Sequence, residues 1–135
     1  MKRILVVAVL LVSFFASVNA NAQFANVEDE VEFKSTTHDF ETINEDDGPV
    51  SHSFKFTNNS NSVVIITDVK ASCGCTSPDW TKQPIMKGKE GFIKATYNPK
   101  NRPGGFNKTL TVNYTVNNET KTVKLTIKGS VASSK

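Results

Sequence analysis

Past its first residues the sequence has no apolar stretch long enough to cross a membrane, little net charge, no helical apolar period and almost no cysteine. Each shortage removes a class of function. Without a second long apolar run there is no stop-transfer segment, and the C-terminal Ser130-Val131-Ala132-Ser133-Ser134-Lys135 offers no hydrophobic anchor. Of the 16 basic residues, Lys2 and Arg3 belong to the extreme N-terminus, which leaves 14 against 13 acidic ones. A chain so nearly neutral lacks the basic excess that nucleic-acid phosphates demand. No nucleophile elbow, phosphate-binding loop or calcium-loop pattern occurs, and neither His38 nor His52 stands in a motif that marks a general base. Enzyme activity therefore has no positive support, and no cofactor motif is present.

The first residues are of a different kind. Met1-Lys2-Arg3 is positively charged, and residues 4–18 are apolar except for Ser13 and Ser17, too short a run for a membrane span. Small residues follow at peptidase spacing, Val18-Asn19-Ala20 or Ala20-Asn21-Ala22, so the mature chain is expected to start at Asn21 or, preferably, Gln23. Residues 1–22 read as a signal peptide with no cysteine for lipid attachment. The expected product is exported, periplasmic or secreted, and soluble after cleavage. What remains, 113 of the 135 residues, suits one domain. Residues 23–30 form an acidic lead-in, and residues 31–132 form the domain.

Apolar alternation predicts strands throughout. Residues 37–43 alternate around Phe40, and residues 50–57 alternate strictly, with Val50, His52, Phe54 and Phe56 on one face. Residues 62–69 are so rich in Val and Ile that both faces are expected to be covered, as in a central strand. Residues 92–97 resume strand character after a stretch broken by glycine and proline. Residues 108–116, with Leu110, Val112, Tyr114 and Val116 inward, join residues 121–131, with Val123, Leu125, Ile127, Gly129 and Val131 inward, through Asn117-Asn118-Glu119-Thr120. About seven short strands roughly 8–12 residues apart, with no helix, predict an all-β, immunoglobulin-like antiparallel β-sandwich. A small closed barrel is the alternative.

Charge is unevenly spread along this scaffold. Residues 23–70 carry 3 basic and 10 acidic side chains, and residues 71–135 carry 11 and 3. Either interleaved strands pair these opposite charges, or the second half presents a basic face. Lys100, Arg102 and Lys108 are the candidates for such a face, as contacts for a partner or an anionic ligand.

The chemistry-bearing stretch is Ala71-Ser72-Cys73-Gly74-Cys75-Thr76-Ser77-Pro78-Asp79-Trp80, which holds both cysteines and the single tryptophan. It is predicted as a loop leaving a strand. In an exported protein the pair is expected to be oxidised, yet so small a loop yields far less than the roughly 3 kcal/mol of a 15-residue loop. In extended chain the two Cα atoms lie roughly 6.5 Å apart, near the limit for a disulfide, and Gly74 lets the backbone close the gap. A bond made this way is easily reduced. Cys73 and Cys75 thus read as a local structural disulfide, a redox pair, or a soft-metal site, most plausibly for Cu(I). Redox activation from sequence neighbours is weak, since the nearest cations are Lys70 and Lys82. His38, His52 and Met86 would join a metal site only if the fold brought them close. Trp80 either covers the sandwich end or anchors a partner.

Asp39-Phe40, Ser53-Phe54-Lys55-Phe56-Thr57-Asn58, Val69-Lys70-Ala71-Ser72-Cys73-Gly74-Cys75-Thr76, Gly91-Phe92-Ile93, Tyr97-Asn98 and Gly104-Gly105-Phe106-Asn107-Lys108-Thr109 occur in this order. Together they resemble the domain-of-unknown-function family 1573, exported proteins frequent in Bacteroidetes. The Ala-Ser-Cys-Gly-Cys-Thr stretch is the most specific part. The resemblance implies an immunoglobulin-like sandwich, similar in shape to Hydin and major-sperm-protein domains, which act as interaction modules. It implies no reaction. Members commonly have Asp-Phe-Gly where this chain has Asp39-Phe40-Glu41, so a close-packing glycine is replaced. The expected function is a non-enzymatic module that binds another envelope or extracellular protein or builds the envelope; the alternative is a periplasmic thiol module using Cys73 and Cys75 for disulfide exchange or Cu(I) binding.

Overall fold

Eight strands follow one another along the chain in a computed structural model that describes residues 29–134. The expected signal peptide, residues 1–22, and most of the expected acidic lead-in, residues 23–30, lie outside the described residues. The strands are β1 (Val31–Phe33), β2 (Thr37–Asn44), β3 (Val50–Asn58), β4 (Ile65–Ala71), β5 (Thr76–Trp80), β6 (Glu90–Tyr97), β7 (Gly104–Val116) and β8 (Glu119–Ala132). They form two four-stranded sheets, ordered β1-β3-β6-β5 and β2-β8-β7-β4. Both sheets are open, so the chain is a sandwich and not a closed barrel.

Alternation builds the core as expected in β3, β7 and β8. Phe54 and Phe56 from one sheet and Leu110, Val112, Leu125 and Ile127 from the other are fully buried between the layers. Each such side chain contributes roughly 1.5–3 kcal/mol. The β7–β8 hairpin is the longest ladder, paired from Gly104↔Val131 to Val116↔Glu119. Asn117 and Asn118 turn it at φ of 51° and 61°, the left-handed pair of a two-residue hairpin loop.

Three expectations need correction. The strand count is eight, because Thr76–Trp80 is strand and not loop. The sandwich is not wholly antiparallel, since β2 pairs parallel to β8. No hairpin forces the direction there, because nearly the whole domain separates the two strands. The Val/Ile-rich run is no central strand: β4 is the edge of its sheet, paired only to β7. Val64, Ile66 and Val69 are buried, whereas Ile65 is 40% exposed and Thr67 is exposed. β-Branching there reports strand preference and not two-sided burial.

A bulge explains β2. Its register against β8 shifts between Asp39 and Thr42, and Glu41 sits at φ 59° with its N–H bonded to the Asp39 carboxylate at 2.8 Å. Beyond the bulge the inward parity changes, from His38 and Phe40 to Ile43. The Glu41 carbonyl then lies over Gly129, 2.9 Å from where a Cβ would stand, so only glycine fits on β8 at that point. Glutamate therefore occupies the left-handed position for which the resemblance expects glycine.

The sheets also meet at their flank through two histidines. His38 of β2 and His52 of β3 stack at 3.7 Å between ring centroids and 6° between planes, with Phe40 and Phe54 edge-on against them. Burial, and then the neighbouring His38 charge, hold the His52 pKa below its ordinary 6.5.

Two predictions follow from these contacts. Glu41→Gly removes a left-handed penalty of about 1–2 kcal/mol and adds about 0.5–1 kcal/mol of unfolded-state entropy, so stability should rise by roughly 0.5–1 kcal/mol in denaturant titration. Because the folded pKa of His52 is depressed, protonation favours the unfolded chain; stability is intact above 6.5 and falls as pH drops through the lower folded value. Melting temperatures from pH 7 to pH 5 should fall more steeply for the natural chain than for His52→Phe.

Candidate functional site

β4 ends in one sheet at Ala71 and β5 begins in the other at Thr76, so residues 72–75 are the crossing between layers. Backbone bonds pin both ends. Ser72 donates its N–H to the Thr109 carbonyl at 2.9 Å, and its hydroxyl accepts from the Thr109 N–H at 3.1 Å. The Cys75 carbonyl accepts from the Asn98 N–H at 2.9 Å, and the Cys73 carbonyl accepts from Thr76 at 3.4 Å. Between these points Cys73 and Cys75 form a disulfide with Cα atoms 5.3 Å apart. Gly74 is exposed, with open space at the tip.

The two sulfurs are not equivalent. Cys75 is 7% exposed and belongs to the core, while Cys73 is only half-buried against it. Thr76, 4% exposed, puts Oγ1 3.7 Å from the Cys73 sulfur and 3.8 Å from that of Cys75. Disulfide sulfurs carry no proton, so the threonine hydroxyl is the donor. Beneath it Tyr97, paired with Thr76, stacks on Phe106 of the other sheet at 4.0 Å. Burial raises the Tyr97 pKa.

Register adds Lys108. Ala71 pairs with Leu110 and Ser72 bonds Thr109, so one further step sets Cys73 opposite Lys108. Lys108 stands on the inner face of β7 between buried Phe106 and Leu110, and it pairs with buried Ile127. Sequence neighbours of the cysteines missed this cation. The alternation of Phe106, Lys108 and Leu110 would have found it.

The other candidate residues are distributed around this corner or away from it. Lys100 and Arg102 lie in the loop after Tyr97, which starts at the Asn98 that bonds Cys75. The Arg102 guanidinium donates to the carbonyls of Asn98 and Lys100 at 3.4 and 3.1 Å, and the Glu45 carboxylate accepts from the Asn101 N–H at 2.7 Å, so part of the loop's positive character is spent locally. Trp80 lies at the far end of β5, about 13 Å from Thr76 at strand spacing. It is half-buried against the core, with the Lys82 ammonium 3.0 Å from its ring centre. His38 sits in β2, three strands across the sheet from the Cys73 row, about 14 Å away. Met86 is 56% exposed beside the Val64–Ile85 bridge at the opposite end of β4. The fold thus brings the two sulfurs together with Thr76, sets Lys108 in the row that the β4 register reaches at Cys73, and does not bring in His38, His52 or Met86.

Beside the corner lie two sheet edges that differ in backbone chemistry. Along β5, Cys75 and Thr81 bond toward β6, so Thr76, Pro78 and Trp80 face outward. The Thr76 N–H is taken by Cys73, Pro78 has none, and the Trp80 N–H is taken by the Asp79 carboxylate at 2.9 Å. That edge is closed to a new strand. Along β4, Ser72 bonds toward β7, so Val69 and Ala71 turn N–H and carbonyl groups outward, next to exposed Ile65, Thr67 and Lys70.

The fold is shared with solved structures. The chain is similar to the VesB protease of Vibrio cholerae, with a TM-score of 0.64 and 14% identity over 76% of this chain and 32% of that one. It is also similar to a protein of unknown function from Porphyromonas gingivalis W83, with a TM-score of 0.62 and 10% identity over 74% and 46%. The YadV chaperone gives a TM-score of 0.50 and 12% identity over 77% and 52%. The chain spans about a third to a half of each, and at these identities the likeness concerns architecture alone. No curated protein sequence matches the chain. The family model described as "Protein of unknown function (DUF1573)" matches residues 31–131, nearly the whole described domain, and the chain belongs to that family.

Proposed function

We propose that the protein is an exported, non-enzymatic, immunoglobulin-like module that binds an extended segment of another envelope or extracellular protein along the edge of β4. The observation that carries this reading is the contrast between the two edges beside the crossing. β5 has its outward donors absent or occupied, whereas Val69 and Ala71 of β4 offer theirs beside an exposed isoleucine. Strand addition draws affinity from such main-chain groups and specificity from alternate side chains. A partner strand would set an apolar residue near Ile65 and an acidic or neutral one near Lys70. Export is supported by the charged and apolar N-terminal stretch of the sequence. Among the described residues no helix is long and apolar enough to cross a membrane.

Ala71→Pro tests the reading, because it removes an outward N–H and leaves the bonds to β7 in place. Crosslinked capture from envelope extract should recover a partner with the natural chain. Against that partner Ala71→Pro should weaken binding at least about tenfold, equal to ~1.4 kcal/mol, with the melting temperature nearly unchanged. Equal capture by a folded Ala71→Pro chain, or no partner for the natural chain, removes the proposal.

A further inference from the structure

The interaction reading leaves the sulfur pair without a task, although the Thr76 hydroxyl lies 3.7 and 3.8 Å from its two sulfurs. Opening the bond would disturb little. The loop it closes holds a single intervening residue, so it restricts the unfolded chain only slightly. On either side the crossing stays tied through Ser72 to Thr109 and through Cys75 to Asn98. A fold that does not need a bond can let it break.

The bond also has a direction. A nucleophile from solvent reaches the half-buried Cys73, whereas Cys75 is in the core. Attack on the Cys73 sulfur makes the Cys75 sulfur the leaving group, and a departing thiolate there meets the hydroxyl proton of Thr76. The cationic Lys108 in the row opposite Cys73 favours negative charge on either sulfur.

We propose that Cys73–Cys75 is an exchangeable disulfide, with Cys73 the sulfur attacked by the thiolate of a protein dithiol and Cys75 the sulfur that leaves. The incoming thiolate gives its electron pair to a new bond with Cys73 Sγ, and the pair of the old bond passes to Cys75 Sγ, which takes a proton from solvent. The second thiol of the dithiol then loses its proton and attacks its own partner sulfur, which releases Cys73 as a thiolate that is protonated in turn. The cystine gains two electrons and two protons, and the dithiol becomes a disulfide. Thr76 and Lys108 act as positioning residues through the leaving and attacked sulfurs.

Glutathione, a monothiol with no second sulfur of its own, tests this on the folded natural chain when the reaction is sampled early, before a second glutathione or Cys75 resolves the adduct. After acid quenching, fragment masses should place the glutathione adduct on Cys73 at least tenfold over Cys75, at a rate well above that of global unfolding. In a second arm, Thr76→Val should slow reduction by dithiothreitol at least threefold without lowering the melting temperature, and Thr76→Ser should restore the rate. No adduct on the folded chain, a smaller preference for Cys73, or an unaltered rate in a folded Thr76→Val chain would overturn the proposal. None of these results depends on the β4 edge.

Discussion

Two sheets stacked by their apolar faces must be joined by chain that crosses between them, and here one crossing is only four residues long. Packed sheets lie about 10 Å apart, and four residues reach at most about 14 Å. Residues 72–75 therefore have little slack, all the less because the disulfide holds two of their Cα atoms 5.3 Å apart. The inward faces of β4 and β5 are fixed by burial of Val69, Thr76 and the neighbouring core, so the crossing has one place to go. Everything distinctive about this end of the sandwich follows from that. Cys75 and Thr76 are both buried, so strand alternation is broken where the crossing enters β5, while Cys73, just past the end of the β4 ladder, stays half-buried.

The same geometry decides which backbone groups remain free. An open sheet has edges, and an unprotected edge invites pairing with other chains. β5 is protected by three separate devices, namely a tight turn onto Thr76, a proline, and an aspartate folded back onto its neighbour's N–H. β2 is bent by its left-handed Glu41, and β1 spans three residues only. β4 is shielded only at its start, by the bridge from Val64 to Ile85. Protection on three sides and exposure on the fourth is a pattern that burial alone does not require.

Much of this fold was legible in the sequence where one physical signal acted alone. β3, β7 and β8 alternate because one face is buried, and their inward residues were read correctly down to Val131. Legibility failed where signals compete. Thr76–Trp80 has too little alternation and a proline at its centre, and proline argues against a central strand while remaining compatible with an edge. Residues 62–69 were read as a central strand and form an edge, because β-branching looks alike in both. The β2 register hid behind a glutamate in a glycine's conformation. Asn58, at the end of β3, is fully buried; its side chain donates to the carbonyls of Ser62 and Ile85 and accepts from Ser60. A polar residue ordinarily stays solvated, but here its hydrogen bonds give the turn that follows β3 a buried core. At the site, the cysteine pair was legible from spacing, but the inward turn of the adjacent Thr76 hydroxyl was not, and Lys108 comes to the Cys73 row only through strand order.

Strand order also accounts for the lopsided charge. The acidic first half meets the basic second half where Glu30 pairs with Lys121 and Asp39 with its ladder partner Lys128, while Lys34 with Glu90 runs the other way. Exposed pairs of this kind contribute little stability. Their consequence is spatial. Because β1 and β2 lie along one flank, their acids neutralise lysines of β8 there, and the histidine stack closes the gap between layers on that same flank. The opposite flank, formed by β4 and β5, receives no acidic strand from the N-terminal region. It keeps the disulfide and the uncovered ladder of β4. Chemistry gathers on that flank because the topology spends the chain's compensating charges on the other.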